Sequence, residues 1–575
     1  MTGFTSIDFY SPALVLLAGA FTIAGLLGIG NRIGRALRLP QPWQTTVGAI
    51  AALEILTLGV ESVAMGRIAT RAVLIATWAL FCVCGAALLR FRLRLLDRYT
   101  AAPVAILILN LCVALCPSTK GDEVYYHMIV PARIALDRGL LFYREPLRAA
   151  IYPQMAFQMG FAPFHALRLP DAGNVVSWFF SALLVWFTFA IVEKATASRV
   201  WASIFGTAIA AGLYTTVWHV TSGAHAIGDL AVTASVIAIY VLKDLADVAG
   251  AGRVAVSIGI LAAAFSSTKI FFLPLALAIV LISATRLGWK SIVWMAAAPA
   301  VFMLPLMIWT AAHSGSPFGP LFEGITGPSP YFPNEARAFV DEYVAGPRGP
   351  IPEKIRNEAV NFSPILWLSI AAFFLMRRYI AVKPGVGFAL LILQIVVILG
   401  WNTYDARYLG GVHYALMILF AMFLSRERRG PILNQRWLAP VLIVPWMILQ
   451  AVYAAQFVRC IAHLQTKEEF LGQHVPLFDD FRALDRLLPK DSVLLSIPYG
   501  LASIYAPRPL YYHVLDVPPG KAVFLVSYDP EGVIDLHGRF TAGEQVYENR
   551  AAVIATFRVP GRQPQLADLH VTRLH

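Results

Sequence analysis

The sequence predicts a polytopic α-helical membrane protein with a small α/β domain at its C-terminal end. Three observations predict this fold class. Of the 575 residues, 58% are hydrophobic and only 14% are charged, whereas soluble domains carry roughly 25% charged residues. Apolar runs of about 16–22 residues recur along the chain, as expected of membrane spans. After residue 466 the composition changes to that of a soluble domain.

About 14 apolar segments are candidate spans, on length and composition. They lie near residues 10–30, 44–64, 72–89, 101–116, 174–193, 200–217, 226–242, 254–267, 269–285, 291–312, 362–376, 385–400, 408–425 and 437–458. No basic region precedes the first of them, so we expect it to remain as a span and not to be cleaved as a signal peptide.

Basic residues fall in alternate gaps between these segments. They are Arg32, Arg35 and Arg38; Arg90, Arg92, Arg94 and Arg98; Lys194 and Arg199; Lys243 and Arg253; Arg286 and Lys290; Arg377, Arg378 and Lys383; and Arg426, Arg428, Arg429 and Arg436. Basic loops stay in the cytoplasm. This orientation places both termini outside, together with loops 117–173, 313–361 and 401–407. It also explains the net charge of +12 without a nucleic-acid partner.

The outward loops are the long ones. In loop 117–173, residues 122–139 can form an amphipathic helix that ends at Gly139. Residues 152–167 are apolar but interrupted by polar residues and proline, which predicts an interfacial helix lying on the outer membrane surface. Loop 313–361 is rich in Pro and Gly, so it is either a lid over a site or an irregular connector.

The segment after residue 466 has the pattern of a small extracytoplasmic α/β domain. Residues 478–488 have a helical pattern that stops at a proline. The predicted strands are 492–497, 510–514, 522–526 and 551–557.

The stretch 121–131, GDEVYYHMIVP, combines two adjacent carboxylates with aromatic residues directly after an apolar run. Its polar members are Asp122, Glu123, Tyr125, Tyr126 and His127. One interpretation is a surface acid pair on an amphipathic loop. The other is the catalytic mouth of a membrane enzyme, because a carboxylate can serve as a general base.

Further polar residues lie near the outward ends of later spans, where they are costly and often functional. They are His219, His225 and Asp229 near the span at 226–242, Lys269 between two short apolar runs, and Arg407, Tyr408 and His413 at the start of a late span. Acidic residues can act as a general base or bind a metal, and Lys with Arg can bind a phosphate. Together these residues predict a functional site on the outer side. The alternatives are a snorkelling Lys269, Arg407 as a topological anchor, Asp229 as a helix cap and structural histidines.

The second predicted span contains two acidic residues, and the chain contains five cysteines. Glu61 is expected to reach the membrane interface, whereas Glu54 lies deeper and indicates an intramembrane partner. The cysteines are Cys82, Cys84, Cys112, Cys116 and Cys460. None has zinc-site spacing with histidines, so we expect buried, inert thiols.

The order of these motifs resembles the GT-C superfamily of polyprenyl-phosphate-dependent glycosyltransferases, in particular the bacterial relatives of protein O-mannosyltransferases and lipid A aminoarabinose transferase. The motifs are the outward DEVYYH, Tyr-Pro at 152–153, GDLAV, STKIFFLPLAL, Arg-Tyr-Leu at 407–409, and LPKDSVLL with APRPLYY in the C-terminal domain. The resemblance covers about residues 101–515. It implies a GT-C-like membrane core that transfers a sugar, with inversion, from a polyprenyl-phosphate donor on the outer face.

The resemblance also assigns roles. Asp122, with Glu123 adjacent, would be the general base or help to hold a metal. Lys269 and Arg407 would bind the phosphate that leaves. Tyr125, Tyr126, His127, His225, Asp229, Tyr408 and His413 would support the site. The relatives are metal-assisted or metal-independent, so a divalent cation (Mg or Mn) on Asp122, Glu123 and Asp229 is possible and the cofactor stays open.

One departure affects the predicted domains. The acidic loop of the relatives follows the first span, whereas here it follows the fourth. We therefore predict an extra N-terminal module of three spans at 1–100, a catalytic core at 101–464 and the extracytoplasmic domain at 465–575.

The predicted function is a membrane glycosyltransferase in a bacterial inner membrane, with a glycan, lipid or protein as acceptor. A polytopic transporter or lipid flippase is the alternative, and a scaffold whose outer domain binds a partner is a third. The sequence contains no GxxxxGK[ST] phosphate loop, which disfavours an ATPase.

Overall fold

The computed structural model describes residues 10–89, 97–119, 123–144, 155–317, 385–400, 409–426, 438–496, 503–527, 536, 538–555 and 565–575. Several predicted features lie outside this part of the chain. They are Asp122, Arg407, Tyr408, the side chains of Tyr125 and Tyr126, the span at 362–376 and most of loop 313–361.

Apolar helices make up the membrane part. The first eight are α1 (Pro12–Ala36), α2 (Trp43–Met65), α3 (Arg71–Leu88), α4 (Ala101–Leu115), α5 (Ile129–Asp137), α6 (Ala156–Met159), α7 (Ala162–Leu167) and α8 (Ala172–Thr196). The next eight are α9 (Arg199–Ala210), α10 (Leu213–Trp218), α11 (His225–Tyr240), α12 (Leu242–Ala249), α13 (Ala251–Ser266), α14 (Leu273–Leu287), α15 (Ser291–Phe302) and α16 (Leu304–Ser314). Three more follow, α17 (Gly385–Gly400), α18 (Gly410–Arg426) and α19 (Leu438–Ile461).

Among the described residues, four helices are long and apolar enough to cross a membrane, namely α1, α2, α3 and α8. Two bent pairs raise this number to six when each is one broken span. The helices of the pair α11 and α12 are bent by 89°, and those of the pair α15 and α16 by 54°. The protein is therefore helical with several apolar spans, and the total of about 14 stays a prediction.

Helix α1 packs closely against α2 and α3 through glycines. A Cβ added at Gly28 would overlap the backbone carbonyl of Gly85 in α3, and one added at Gly30 would lie 2.7 Å from the carbonyl carbon of Gly48 in α2. Small residues of this kind let membrane helices approach backbone to backbone. Helix α1 continues to Ala36, so Arg32 and Arg35 belong to its last turns and not to the following gap.

We expect Gly28→Val to lower the free energy of unfolding by about 1–3 kcal/mol, because the new side chain overlaps main-chain atoms that cannot rotate away. Thermal unfolding in detergent measures the effect. Gly252→Val is the matched control, since an added Cβ at Gly252 meets nothing within 4 Å. Equal unfolding temperatures for the two variants would contradict the close packing of α1 on α3.

Helix α2 carries its acids on the face opposite α1. Thr57 lies against Gly160, where an added Cβ would be 2.6 Å from the Thr57 hydroxyl oxygen. Glu54 and Glu61 lie three residues before and four residues after Thr57, and therefore share its face. Both are buried, with exposed fractions of 6% and 2%. Glu61 thus lies inside the protein instead of reaching the membrane interface.

The predicted interfacial helix differs from the structure. Residues 156–167 form two short helices, α6 and α7, which are buried inside the protein and do not lie on an outer surface. Phe157 is 0% exposed and Phe164 is 1% exposed, because α2, α3 and α5 pack over them. The prediction was wrong because it treated the apolar surface of this segment as membrane-facing, whereas α2, α3 and α5 cover it. In the same segment, burial lowers the pKa of His165 to about 3.

The C-terminal segment begins with α20 (Lys467–His474) and α21 (Phe478–Leu487) and contains a five-stranded sheet of order β2-β1-β3-β5-β4. Its strands are β1 (Val493–Ser496), β2 (Leu510–Tyr511), β3 (Val523–Ser527), β4 (Ala542–Ala555) and β5 (Gln565–Leu574). Strand β1 is parallel to β2 and β3, and β5 is antiparallel to β3 and β4. The sequence patterns missed β5 and residues 542–550 of β4, because exposed polar residues are frequent in that edge hairpin.

Candidate functional site

The acidic segment is not one continuous α-helix. Glu123–His127 forms a short π-helix, and α5 follows it. π-Helical turns are rare in proteins, and a large share of those that occur lie at functional sites. Helix α5 ends where Arg138 adopts a left-handed backbone conformation with φ of 58°, one residue before the predicted end at Gly139.

Glu123 is held inside the protein. Its side chain is 2% exposed, and its Oε1 atom accepts a hydrogen bond of 2.8 Å from the backbone N–H of Ser222. Ser222 belongs to the connection between α10 and α11, which also leads to Asp229. The first acidic loop and the mouth of α11 therefore meet at this hydrogen bond.

A chain of polar side chains runs from Ser222 back to the start of the acidic segment. The Ser222 hydroxyl donates to Asn174 Oδ1 at 2.6 Å. The Asn174 amide donates to the Ser118 hydroxyl at 3.0 Å. The Ser118 hydroxyl and backbone N–H both donate to Asp171 Oδ1 at 2.9 Å. Each donor points the same way, so the bonds reinforce one another and end on one carboxyl group.

Burial raises the pKa of the Asp171 carboxyl above its ordinary value, while nearby Lys467 and the two hydrogen bonds from Ser118 act in the opposite direction. Sequence reasoning missed Asp171, Ser118, Asn174 and Ser222. Their position in the sequence could have identified them, because each lies next to the end of an apolar segment on the predicted outer side.

Histidines surround the acidic turn. The rings of His127 and His225 meet edge to face with centroids 5.8 Å apart, and Gln158 Nε2 lies 3.3 Å from His127 Nδ1. Gly223 permits this approach, because an added Cβ there would lie 2.8 Å from the His225 ring and 3.3 Å from the His127 ring. His127 and His225, both predicted as supporting residues, are thus brought together.

A buried pair lies at the mouth of α11. His219 Nε2 is 2.7 Å from Asp229 Oδ2, and the two residues are 0% and 1% exposed. His219 Nδ1 lies 3.3 Å from the Ser181 hydroxyl. Asp229 is therefore not the cap of α11, because that helix begins at His225 after Ala224. Its carboxylate instead contacts His219 from the preceding connection.

The break before α14 and the start of α18 lie next to the mouth of α11. A Cβ added at Gly228 would lie 2.6 Å from the Thr268 hydroxyl, and one added at Gly410 would lie 2.8 Å from Asp229 Oδ2. Lys269, which follows Thr268 in the break before α14, is buried at 7% exposure. His413 lies one turn after Gly410 and is 3% exposed. The structure therefore collects Asp229, the Thr268–Lys269 break and the start of α18 around Gly228.

The described residues do not form a metal-binding set. They contain no group of three or more His, Cys, Asp or Glu side chains arranged for an ion. One Glu123 oxygen accepts a backbone N–H and one Asp229 oxygen contacts His219. The third proposed ligand, Asp122, lies outside the described residues.

The C-terminal domain docks on α5 and on residues that flank the acidic turn. The guanidinium of Arg133 donates to the Leu510 carbonyl at 2.8 Å and lies 4.4 Å from the Tyr511 ring centroid. Asp516 Oδ2 accepts the backbone N–H of Arg144 at 2.6 Å. The Tyr505 hydroxyl donates to the Ser118 carbonyl at 2.6 Å, and burial raises its pKa well above the ordinary range, so it keeps the proton that it donates.

Arg133→Met is expected to weaken this docking by about 1.5–3 kcal/mol, because a charged hydrogen bond and a cation–π contact are lost while the apolar stem is kept. Limited proteolysis should then release fragment 465–575 faster than from the wild type. Arg138→Met, an exposed arginine on the same helix end, should leave the rate unchanged. Equal release from all three proteins would show that Arg133 does not hold the domain.

No protein-family model matches the chain, and no curated protein sequence matches it. Among solved structures, it is similar to the crystal structure of ArnT from Cupriavidus metallidurans bound to undecaprenyl phosphate. The TM-score is 0.47 and the identity 12%, with 82% of this chain and 97% of that chain covered. The likeness concerns the overall fold.

Proposed function

We propose that the protein is a membrane glycosyltransferase that moves a sugar from a polyprenyl-phosphate donor to an acceptor on the extracytoplasmic face. The observation that carries this proposal is the meeting of the acidic turn with the mouth of α11. Glu123 is hydrogen-bonded to Ser222. Asp229 follows Ser222 by seven residues and lies against Gly410, while Thr268 lies against the neighbouring Gly228. The motif order of the sequence supports the same function.

In the proposed reaction, an acceptor hydroxyl attacks the anomeric carbon of the donor sugar, and the bond from that carbon to the phosphate oxygen breaks. The Asp122–Glu123 pair removes the hydroxyl proton. Lys269 and Arg407 offset the negative charge of the departing polyprenyl phosphate. Burial strengthens such charge stabilisation, because little water remains to screen it.

The most direct test compares envelope lipids and glycans from cells with and without the protein by mass spectrometry. We expect one glycosylated species to disappear and its unmodified acceptor to accumulate. Purified protein should then restore the sugar from a polyprenyl-phosphate donor in detergent. Unchanged envelope composition together with no transfer in vitro would overturn the proposal.

A transporter or lipid flippase is the second candidate, and the bent pairs α11–α12 and α15–α16 favour it, because broken helices are common in transporters. Substrate flux into proteoliposomes without any change in the substrate would support this candidate. The polar cluster argues for chemistry, since it lies at the end of α11 away from the 89° bend.

Lys269→Ala is expected to weaken donor binding by about 1.5–3 kcal/mol, roughly tenfold to a hundredfold, because a charged hydrogen bond to phosphate is lost. Titration with undecaprenyl phosphate measures this affinity. Lys243→Ala, which removes an exposed lysine from α12, is the control and should bind like the wild type. Unchanged affinity in Lys269→Ala would remove this lysine from the phosphate site.

A further inference from the structure

Two cysteines that are distant in the sequence meet at the ends of their helices. Cys116 follows α4 directly, and Cys460 lies in the last turn of α19. Each is 1% exposed. The Cys116 sulfur lies 3.4 Å from the Phe457 carbonyl oxygen, one turn before Cys460, and the two cysteine side chains interact with each other.

Neighbouring residues hold these two thiols close to each other. Helices α4 and α19 pack against each other, and both sulfurs belong to one apolar cluster with Phe457 and Phe470. The Tyr10 hydroxyl donates to the Leu115 carbonyl at 2.8 Å, next to Cys116, and also hydrogen-bonds Cys460. The approach of the two sulfurs is therefore fixed by several elements.

The pair also lies at the base of the candidate site. Cys116 is two residues before Ser118, which bonds to Asp171 through its N–H and hydroxyl. The Ser118 carbonyl accepts the hydroxyl of Tyr505 from the C-terminal domain. A covalent link at Cys116 would thus anchor the start of the acidic segment to the last membrane helix.

We propose that Cys116 and Cys460 form a disulfide bond that clamps the acidic segment to α19. The inference rests on the outward placement of this end of the molecule in the proposed function, because disulfides form in oxidising compartments outside the cytoplasm. The two thiols lose two protons and two electrons and gain one sulfur–sulfur bond. A thiol–disulfide oxidoreductase of that compartment accepts the electrons as its own disulfide becomes two thiols. Since both sulfurs are buried in the folded chain, this exchange takes place during folding.

Counting thiols in the full-length protein tests the proposal. Protein purified from membranes without reductant is denatured and alkylated, either directly or after reduction, and weighed intact by mass spectrometry. We expect three of the five cysteines to be alkylated directly and all five after reduction. A peptide pair that joins the segments around Cys116 and Cys460 should appear only in the unreduced digest.

Two variants identify which cysteines form the disulfide. Cys116→Ser should leave all four remaining cysteines alkylated without reduction. Cys112→Ser, which changes a cysteine one turn earlier in α4, should still leave two cysteines protected from alkylation. Five adducts in the unreduced wild type would overturn the proposal, and so would protection that survives Cys116→Ser. The readout does not involve sugar transfer, so a disulfide without transferase activity would reject only the proposed function.

Discussion

Glu123→Gln is expected to lower the kcat of sugar transfer by about 10²–10⁴ while the protein still folds and inserts, because that is the usual contribution of a general base. The glutamine keeps an Oε1 acceptor for the Ser222 N–H, which donates at 2.8 Å in the wild type, so the local geometry is retained. Only the negative charge and the ability to take a proton are lost. Initial rates at saturating donor and acceptor measure the effect.

Glu61→Gln is the matched control. It makes the same substitution in another glutamate that is 2% exposed, but on α2 instead of in the acidic turn, and its kcat should remain within about twofold, in line with mutations away from the reacting groups. Comparison with Asp122→Asn then shows which of the two neighbouring acids removes the proton. The larger loss of kcat identifies the base. Wild-type rates in both Glu123→Gln and Asp122→Asn would exclude the acidic turn from catalysis.

The placement of several candidate residues could be predicted because polar groups next to apolar spans are conspicuous. Asp229 and Lys269 stand out in this way, and alternating basic gaps assign them to one side of the membrane. The structure places Thr268, the residue before Lys269, against Gly228, the residue before Asp229. A one-dimensional pattern sufficed here, because the membrane confines helix ends to two planes.

The polar chain behind Glu123 could not be predicted in the same way. Ser118, Asn174 and Ser222 come from three separate elements, and each is an ordinary residue for a helix end. Their roles depend on which helix ends are neighbours, which composition and periodicity do not specify. The buried position of α6 and α7 was missed for the same reason, since an apolar segment covered by protein has the same composition as one covered by lipid.

The first three helices are structurally part of the same core as the rest. Helices α1 and α2 both contact α8, and α2 also contacts α6, α11 and α13. Gly160, at the turn between α6 and α7, lies against Thr57 of α2, while Gln158 of α6 approaches His127. The predicted N-terminal module therefore supports, through α6, a residue that borders the acidic turn.

The buried pair His219–Asp229 gives the largest expected effect on stability. The two side chains are almost completely excluded from solvent, and Gly410 of α18 lies against the carboxylate of Asp229. Tyr214 and Tyr414 place their rings 5.2 Å and 6.2 Å from that of His219. Removal of one partner leaves the other polar group buried without its hydrogen bond, which is costly in such surroundings.

Asp229→Ala is therefore expected to lower the free energy of unfolding by about 3–5 kcal/mol, the usual result when one member of a buried pair is removed. Reversible unfolding in mixed detergent micelles measures it, with Asp244→Ala on the exposed face of α12 as a control that should stay within about 0.5 kcal/mol. His219→Ala in the Asp229→Ala background should cost much less than in the wild type, because its partner is already gone. Strictly additive losses in this double-mutant cycle would mean that the 2.7 Å contact does not couple the two residues.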